Sequence, residues 1–482
     1  MASRRVPLWL AVLAAALPMF MTTLDNLVVT TALPAIHRDL GAGIDDLQWV
    51  TNAYTLAFAA LMLFAVGLGD RFGRRRLFVI GIVVFTAASA AAALSDSTAW
   101  LITARALQGV GAAAVLPLSL ALLAAAVPDR LRPAAIGIWG GVSGLGVALG
   151  PVIGGAVVQG WSWSAIFWLN VPVGIIAVPL AILALPEGFG ARARADVPGV
   201  VLASTGITAV VYGLVRGNDL GWTSAAILTA LLGGAVLLAA FLVWESRTAS
   251  PLLPLRLFRI RSFSVSNAIG LVFSFGAFGS VFLLVQFLQV VQGKSPLTAG
   301  LMTMPWTLAP MVVAPLAGLI APRVGTRLLI GTGLASLAAG IGWIGLVLAD
   351  DVTYGAMLPG FVLAGIGMGL VFAPISTAVL ADVQPDDHAK ASGTNSTLRE
   401  IGTALGVAVL TAVFTGAGGT LTPTGFTAAA QPAVLTGAAV TALAALLAIL
   451  LPSGRAPRTT PTSEPAQPAA LPAPAATPVP AA

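Results

Sequence analysis

Apolar residues along this chain come in runs of about twenty, the length that carries a helix across a bilayer core. Short segments of charge, proline and glycine break the runs. That pattern predicts a helical membrane bundle. Fourteen spans are expected, near 8–33, 48–68, 77–95, 100–126, 134–158, 163–185, 197–215, 223–244, 263–290, 297–320, 327–348, 355–380, 393–416 and 432–451. The first run begins almost at the amino end, is too long for a signal h-region and shows no small-residue cleavage site, so it is expected to be retained. From Ser453 onward the chain is rich in Pro, Ala and Thr and reads as a disordered tail.

Composition narrows the class further. Hydrophobic residues make up 58% of the 482 and charged residues only 9%, against ~25% charged in soluble domains. The absence of cysteine excludes disulfides, thiolate catalysis and Cys-ligated metals. A pI of 10.6 does not point to nucleic acid, because the basic residues sit in short loops between spans. Their distribution does orient the bundle. With the amino end in the cytoplasm, 19 of the 24 basic residues fall inside, among them Arg4, Arg5, Arg71, Arg74–Arg76, Arg192, Arg194, Arg455 and Arg458. Only Arg38, Arg216 and Lys294 fall in outside loops. This bias supports an even number of spans with both termini cytoplasmic.

The first span carries one charge, Asp25, in PLWLAVLAAALPMFMTTLDNLVVTTALPAI. A carboxylate near the centre of a membrane helix costs about 2.5–3.5 kcal/mol, so it needs a partner, a water-filled cavity or a proton. Three readings stay open from the residue alone: proton chemistry, structural pairing, or a wet end of an over-long helix. Arg105, near the start of the fourth span, poses the same problem with a charge that is not lost. It either approaches an acid or snorkels to the near interface.

A short repeat divides the chain. VGLGDRFGRRR follows the second span and GLIAPRVGTR the tenth, so Arg323, Gly325 and Arg327 repeat the spacing of Arg71, Gly73 and Arg75. Pro322 stands where Asp70 stood. Two six-helix halves are expected, residues 1–190 and 251–452, with two inserted spans in 191–250 and a tail at 453–482. Six-helix repeats with a site at their interface near the midplane characterise rocking secondary carriers.

Four segments together resemble the major facilitator superfamily, and within it the fourteen-span drug:proton antiporters. They are LDNLVVTTALPAI in the first span, GDRFGRRR after the second, LITARALQGVGAA in the fourth, and GVALGPVIGG with WSWSAIFWLNVPVG in the fifth and sixth. The glycine expected four residues before Asp70 is Val66. The resemblance implies an all-α integral membrane protein of the major-facilitator fold. It also implies proton coupling through Arg105, acting on the Asp25 region. Asp70, Arg71, Gly73 and Arg74 would form a conformational latch, while Arg75 and Arg76 read as anchors on anionic headgroups. Gly146, Gly150, Gly154 and Gly155, with Pro151, would form the antiporter motif. A glycine stripe of this kind also allows plain helix packing.

Further candidate contacts for substrate or protons are Asn26, Gln108, Trp306, Arg399 and Glu400. Arg399 and Glu400 open span 13; adjacent residues do not share a helix face, and interface solvation suffices for residues in first turns. His37 and His388 fall in loops and are expected to be solvated. Phe20, Phe273, Phe278, Phe282, Met304 and Trp306 could line a cavity or face lipid. No G-x-x-x-x-G-K-[ST] occurs, so no nucleotide site, metal or other cofactor is implied and the energy source is an ion gradient. Spans 7–12 hold no deep acid, which favours monovalent cations or neutral lipophiles. The expectation is a proton-coupled exporter of drugs, antibiotics or related molecules in a bacterial inner membrane, acting as a monomer. Its partners would be small molecules, protons and lipid. A facilitator or symporter of a polar metabolite and a transport-inactive sensor are the alternatives. No nucleophile–base cluster suggests an enzyme.

Overall fold

A computed structural model describes residues 7–190, 196–248, 251–384 and 387–452, apart from the side chains of 129, 133, 134, 322 and 389. The tail from Ser453 and the arginines at 4, 5, 192, 194, 455 and 458 lie outside the described residues. Fourteen helices are long and apolar enough to cross a membrane. They are α1 Leu8–Leu40, α2 Ile44–Phe72, α3 Arg74–Ala93, α4 Thr98–Ala126, α5 Arg132–Gly160, α6 Ala165–Ala184 and α7 Val197–Leu220. Then follow α8 Ala225–Arg247, α9 Arg261–Val290, α10 Pro296–Val324, α11 Thr326–Val347, α12 Tyr354–Leu380, α13 His388–Gly416 and α14 Pro423–Leu447. There is no strand among the described residues.

Several helices outrun their hydropathy. Hydropathy senses the lipid-buried segment, whereas backbone hydrogen bonding carries a helix on into the interface until a breaker stops it. Thus α1 continues to Leu40 and stops at Gly41, whose φ is 62°. Its last turn contains His37, whose Nδ1 lies 2.6 Å from the Ala42 carbonyl. His388 likewise opens α13, with Nε2 3.0 Å from the Val383 carbonyl. Both histidines tie down helix ends, contrary to their expected place in solvated loops. The early start of α13 also moves Arg399 eleven residues in, about 16 Å from the helix start. These residues are not in the first turn.

The repeated R-x-G-x-R corners adopt one conformation. Gly73 and Gly325 have φ of 112° and 92°, which favours glycine, and each donates its N–H to the carbonyl four residues back. Packing repeats with them. In the first group α1 packs on α5 and α6, and α4 on α2 and α3. Eight helices later α9 packs on α13 and α14, and α12 on α10 and α11. The groups meet in two equivalent seams, α2 against α13 and α5 against α10. The inserted α7 and α8 pack on each other, and α7 alone reaches into the α2–α13 seam. There Val211 and Val215 join Leu56, Ala404 and Ala408 in one buried cluster.

The seams are closed unevenly. One end of the bundle carries the arginine-rich corners at Arg71–Arg76 and Arg323–Arg327; towards the opposite end the groups lock. Gln289 donates to the Thr31 carbonyl at 3.0 Å, and Thr307, near mid-depth, to the Ala148 carbonyl at 3.2 Å. A Cβ on Gly155 or Gly300 would collide with the partner helix backbone. Toward the basic end of the same two helices, a Cβ on Gly137, Gly140, Gly141 or Gly318 would meet nothing within 4 Å. The α5–α10 seam is therefore tightest away from the basic end, whereas the α2–α13 seam stays in contact toward it, where a Cβ on Gly393 would strike Leu63.

Candidate functional site

Asp25 and Arg105 are brought together at the centre of the first group. Arg105 is 0% exposed and Asp25 3%, so the expected alternatives of a wet helix end and a snorkelling arginine do not hold. Their ion pair runs from Arg105 Nη1 to Asp25 Oδ2 at 2.5 Å. The other carboxylate oxygen accepts from Asn170 Nδ2 at 2.7 Å and Gln108 Nε2 at 3.3 Å. Gln108 stands three residues after Arg105, on the same helix face, and its Oε1 accepts from Arg105 Nη1 at 3.0 Å. Ser89 closes the network. Its hydroxyl accepts from Gln108 at 3.1 Å and Asn170 at 2.9 Å, and donates to the Phe167 carbonyl at 2.9 Å.

The guanidinium is also held by Val50, whose carbonyl accepts from Arg105 Nε at 3.1 Å. Its plane lies over the Tyr54 ring, 4.4 Å from the centroid. Such stacking on an aromatic face suits arginine and would not survive replacement by lysine. Tyr54 in turn donates to the Thr22 carbonyl at 3.2 Å, one turn before Asp25 on α1. Arg105 Nη2 is buried without a partner. A buried ion pair of this kind is strongly destabilised when one member is removed.

Sequence order explains why five helices contribute. Gly109 lets α4 lie directly on α2: a Cβ there would strike the Tyr54 carbonyl and Ala57. The Gly146, Gly150 and Gly154 stripe seats α1, since a Cβ at each would meet Thr23, Leu27 and Thr31 respectively. Those contacts bracket Asp25. Gly155 faces the other way, onto Pro296 and Leu297 of α10, and the Pro151 carbonyl abuts Gly300. The stripe thus joins the helix bearing Asp25 to the seam between the halves. Asn170 arrives by a different device. Span α6 breaks for one residue at Leu169, between Ala165–Trp168 and Asn170–Ala184, and Asn170 opens the second piece. Sequence reasoning did not single out Ser89 or Asn170. The available signal was a lone polar residue inside an apolar span, in TAASAAA and FWLNVPVG.

Other expected residues lie apart. Asn26 is half-buried with no hydrogen-bond partner. Trp306 is only 2% exposed and packs 6.2 Å from the Phe361 ring, inside the core of the second group and not on an open wall. Phe273 and Phe282 are also core, while Phe20, Phe278 and Met304 are half-buried. Arg399 and Glu400 stand on the far side of the interface, without ion-pair or hydrogen-bond partners among the described residues.

The basic-end corner is built within one group. Asp70 pairs with Arg74 at 2.7 Å, and its carbonyl accepts from Gly190 at 3.0 Å. Glu187 takes the Arg75 backbone N–H at 2.9 Å and stands 3.8 Å from the side chains of both Arg75 and Arg76. Arg75 also donates to the Ile182 and Leu185 carbonyls, each at 3.1 Å. It is clamped to the end of α6 and is not the free headgroup anchor expected. Arg71 is exposed and stacks on its neighbour Phe72.

No group of residues that could hold a metal ion occurs among the described residues. The chain is 38% identical over 406 residues to the multidrug resistance protein Stp of Mycobacterium tuberculosis, a match covering 84% of this chain and 75% of that one. It is 40% identical over 408 residues to the cephamycin export protein CmcT of Amycolatopsis lactamdurans, covering 83% of each. A solved transporter of the POT family, in complex with 5-aminolevulinic acid, has the same fold: the TM-score is 0.68 over 92% of this chain and 95% of that one, at 13% identity. The family model for the Major Facilitator Superfamily matches residues 15–194, 189–407 and 268–479. Fourteen spans, the doubled packing order, these relatives and that match place the chain in the Major Facilitator Superfamily.

Proposed function

We propose that this protein exports lipophilic drugs, antibiotics or related small molecules across a bacterial cytoplasmic membrane in exchange for protons. The names of the relatives support export, and the basic residues support a cytoplasmic basic end. On that orientation the α5–α10 seam is tightest toward the outer end, where Gly155 and Gly300 meet the partner backbone. One observation carries the coupling: an acid deep in the bundle whose charge is matched by Arg105 alone and whose oxygens are filled by three donors. A proton delivered to Asp25 cancels the charge that holds Arg105 and releases α1 from α4. Through the glycine stripe, α1 is seated on α5, which forms one seam. Protonation therefore has a mechanical path to the closure between the halves. Only a differential effect on the two states can drive the cycle, and the α1–α4 pairing supplies one.

Asp70, Arg74, Arg75 and Glu187 act on this reading as a corner clasp of the first half. The experiment uses inside-out vesicles energised with a proton gradient, scored by accumulation of fluorescent probes of different charge. Wild-type accumulation is expected to collapse with an uncoupler and to be absent in Asp25→Asn at equal expression. Accumulation that survives both would overturn proton coupling through Asp25.

A further inference from the structure

We infer that Arg399, resting on the ring of Phe372, is the subsite for an anionic group of the cargo, so that the molecules carried are ring systems bearing a carboxylate, phenolate or enolate. The inference rests on the export reading and gives it a substrate class. Arginine keeps its charge wherever it is placed, and one inside a membrane bundle normally has an acid or carbonyls around it. Arg105 has both. Among the described residues Arg399 has neither: its Nε is buried without a partner, and no hydrogen bond or ion pair engages the rest of its fork.

The side chain is nevertheless fixed. Its guanidinium stacks 4.5 Å over Phe372 of α12, which packs edge-on against Phe273 of α9 at 5.4 Å. Its stem lies against Gly270 of α9, where a Cβ would come within 3.3 Å of Arg399 Cγ. One turn toward the basic end, Asn395 donates to Asn267 at 3.2 Å and ties α13 to α9. A fork held in place with unused donors is preorganised for a planar oxyanion, which it can take in a bidentate fashion. The half-buried Phe372 ring beside it suits an aromatic frame. Two hydroxyls on α9, Ser266 and Ser274, lie one turn to either side of Gly270 and are also buried without partners.

Glu400 does not neutralise this cation by contact. It projects about 100° around the helix from Arg399 and forms no ion pair with it among the described residues, although the two charges lie near enough to act on each other. The acid that a cationic drug would seek in the first half, Asp25, is already filled by Arg105, Gln108 and Asn170. On this inference Arg399, fixed on an aromatic ring with its fork unengaged, sets the preference over the adjacent and less constrained acid. This reverses the charge expected from the shortage of acids in spans 7–12.

The test measures equilibrium binding to the purified full-length protein, with no gradient applied, of two dyes that share a xanthene frame: anionic fluorescein and cationic rhodamine 6G. Wild type is expected to bind fluorescein more tightly. Arg399→Gln should weaken fluorescein by about tenfold or more, the weight of a charge-assisted hydrogen bond, while rhodamine 6G shifts by less than about twofold. Arg399→Lys should recover part of the loss. The inference is overturned if wild type prefers rhodamine 6G, if fluorescein fails to bind, or if Arg399→Gln weakens both dyes equally in a protein of unchanged elution and melting temperature. Charge-selective binding without proton-driven uptake of fluorescein into inside-out vesicles would leave the subsite standing and sink the export reading instead.

Discussion

The two halves share one packing order and treat buried charge in opposite ways. In the first, Asp25 and Arg105 are joined at 2.5 Å and enclosed by Gln108, Asn170, Ser89 and Tyr54. In the second, Arg399 rests on the Phe372 ring, and neither it nor the adjacent Glu400 has an ion-pair or side-chain hydrogen-bond partner among the described residues. A matched pair in a low-dielectric interior is a closed circuit: it responds to a proton and to little else. An unmatched pair on an open wall keeps its interaction energy for a ligand. On the proposed reading, the same fold separates coupling from recognition by placing each in a different half.

The largest expected effect comes from opening the closed circuit. Arg105→Leu leaves Asp25 buried without its cation and should lower stability by about 3–5 kcal/mol, read as a fall in melting temperature of the purified protein. Adding Asp25→Asn should restore most of that stability and none of the proton-driven transport, because the remaining amides need no counter-charge. If the double variant melts as low as the single one, the pair is not what makes Arg105 indispensable.

Next is the seat of α1. Gly150→Leu would push a side chain into Leu27 and should cost about 1–3 kcal/mol by overpacking. Transport should fall further than that cost explains, since the helix bearing Asp25 is displaced. Normal vesicle uptake by a Gly150→Leu protein would separate the stripe from the coupling site.

Arg399→Gln provides the opposite arm of the comparison. It should change the melting temperature by no more than about 1 kcal/mol equivalent, since no partner is left stranded. A collapse as severe as that of Arg105→Leu would mean the second half also runs on a closed pair. The smallest effect concerns the inserted helix. Arg216 of α7 lies 3.5 Å from Asp45 on α2, and Asn218 donates at 2.7 Å to the Ala412 carbonyl of α13. Arg216→Gln should cost about 0–1 kcal/mol, as partly exposed pairs do. The expected sign is a shift toward outward opening, measurable as greater labelling of a cysteine introduced at Thr31 with a membrane-impermeant reagent.

Much of this was legible in the chain. Span number followed from hydropathy, and the R-x-G-x-R repeat announced the doubled packing, since a corner glycine with positive φ leaves the same mark wherever it recurs. Asp25 and Arg105 stood out singly as charges in apolar runs. Their meeting was implied only by the family resemblance, because 80 residues separate them and it is the packing of α1 on α4 that closes the distance. Ser89 and Asn170 were quieter still: a neutral polar residue in a membrane helix is common, and what sets these two apart is that Asn170 donates to Asp25 while Ser89 accepts from both Asn170 and Gln108.

The sequence by itself determined the solvent in which the protein lives, the number of its spans and the doubling of its halves. These depend on summed hydropathy and local backbone rules, which each segment carries alone. Only the tertiary structure decided that Asp25 is paired and Arg399 is not, that Arg75 is clamped to the end of α6, and that Trp306 is core. The reason is physical: the fate of a buried charge depends on what lies within a few ångströms, and those neighbours come from helices whose order in space the chain does not state.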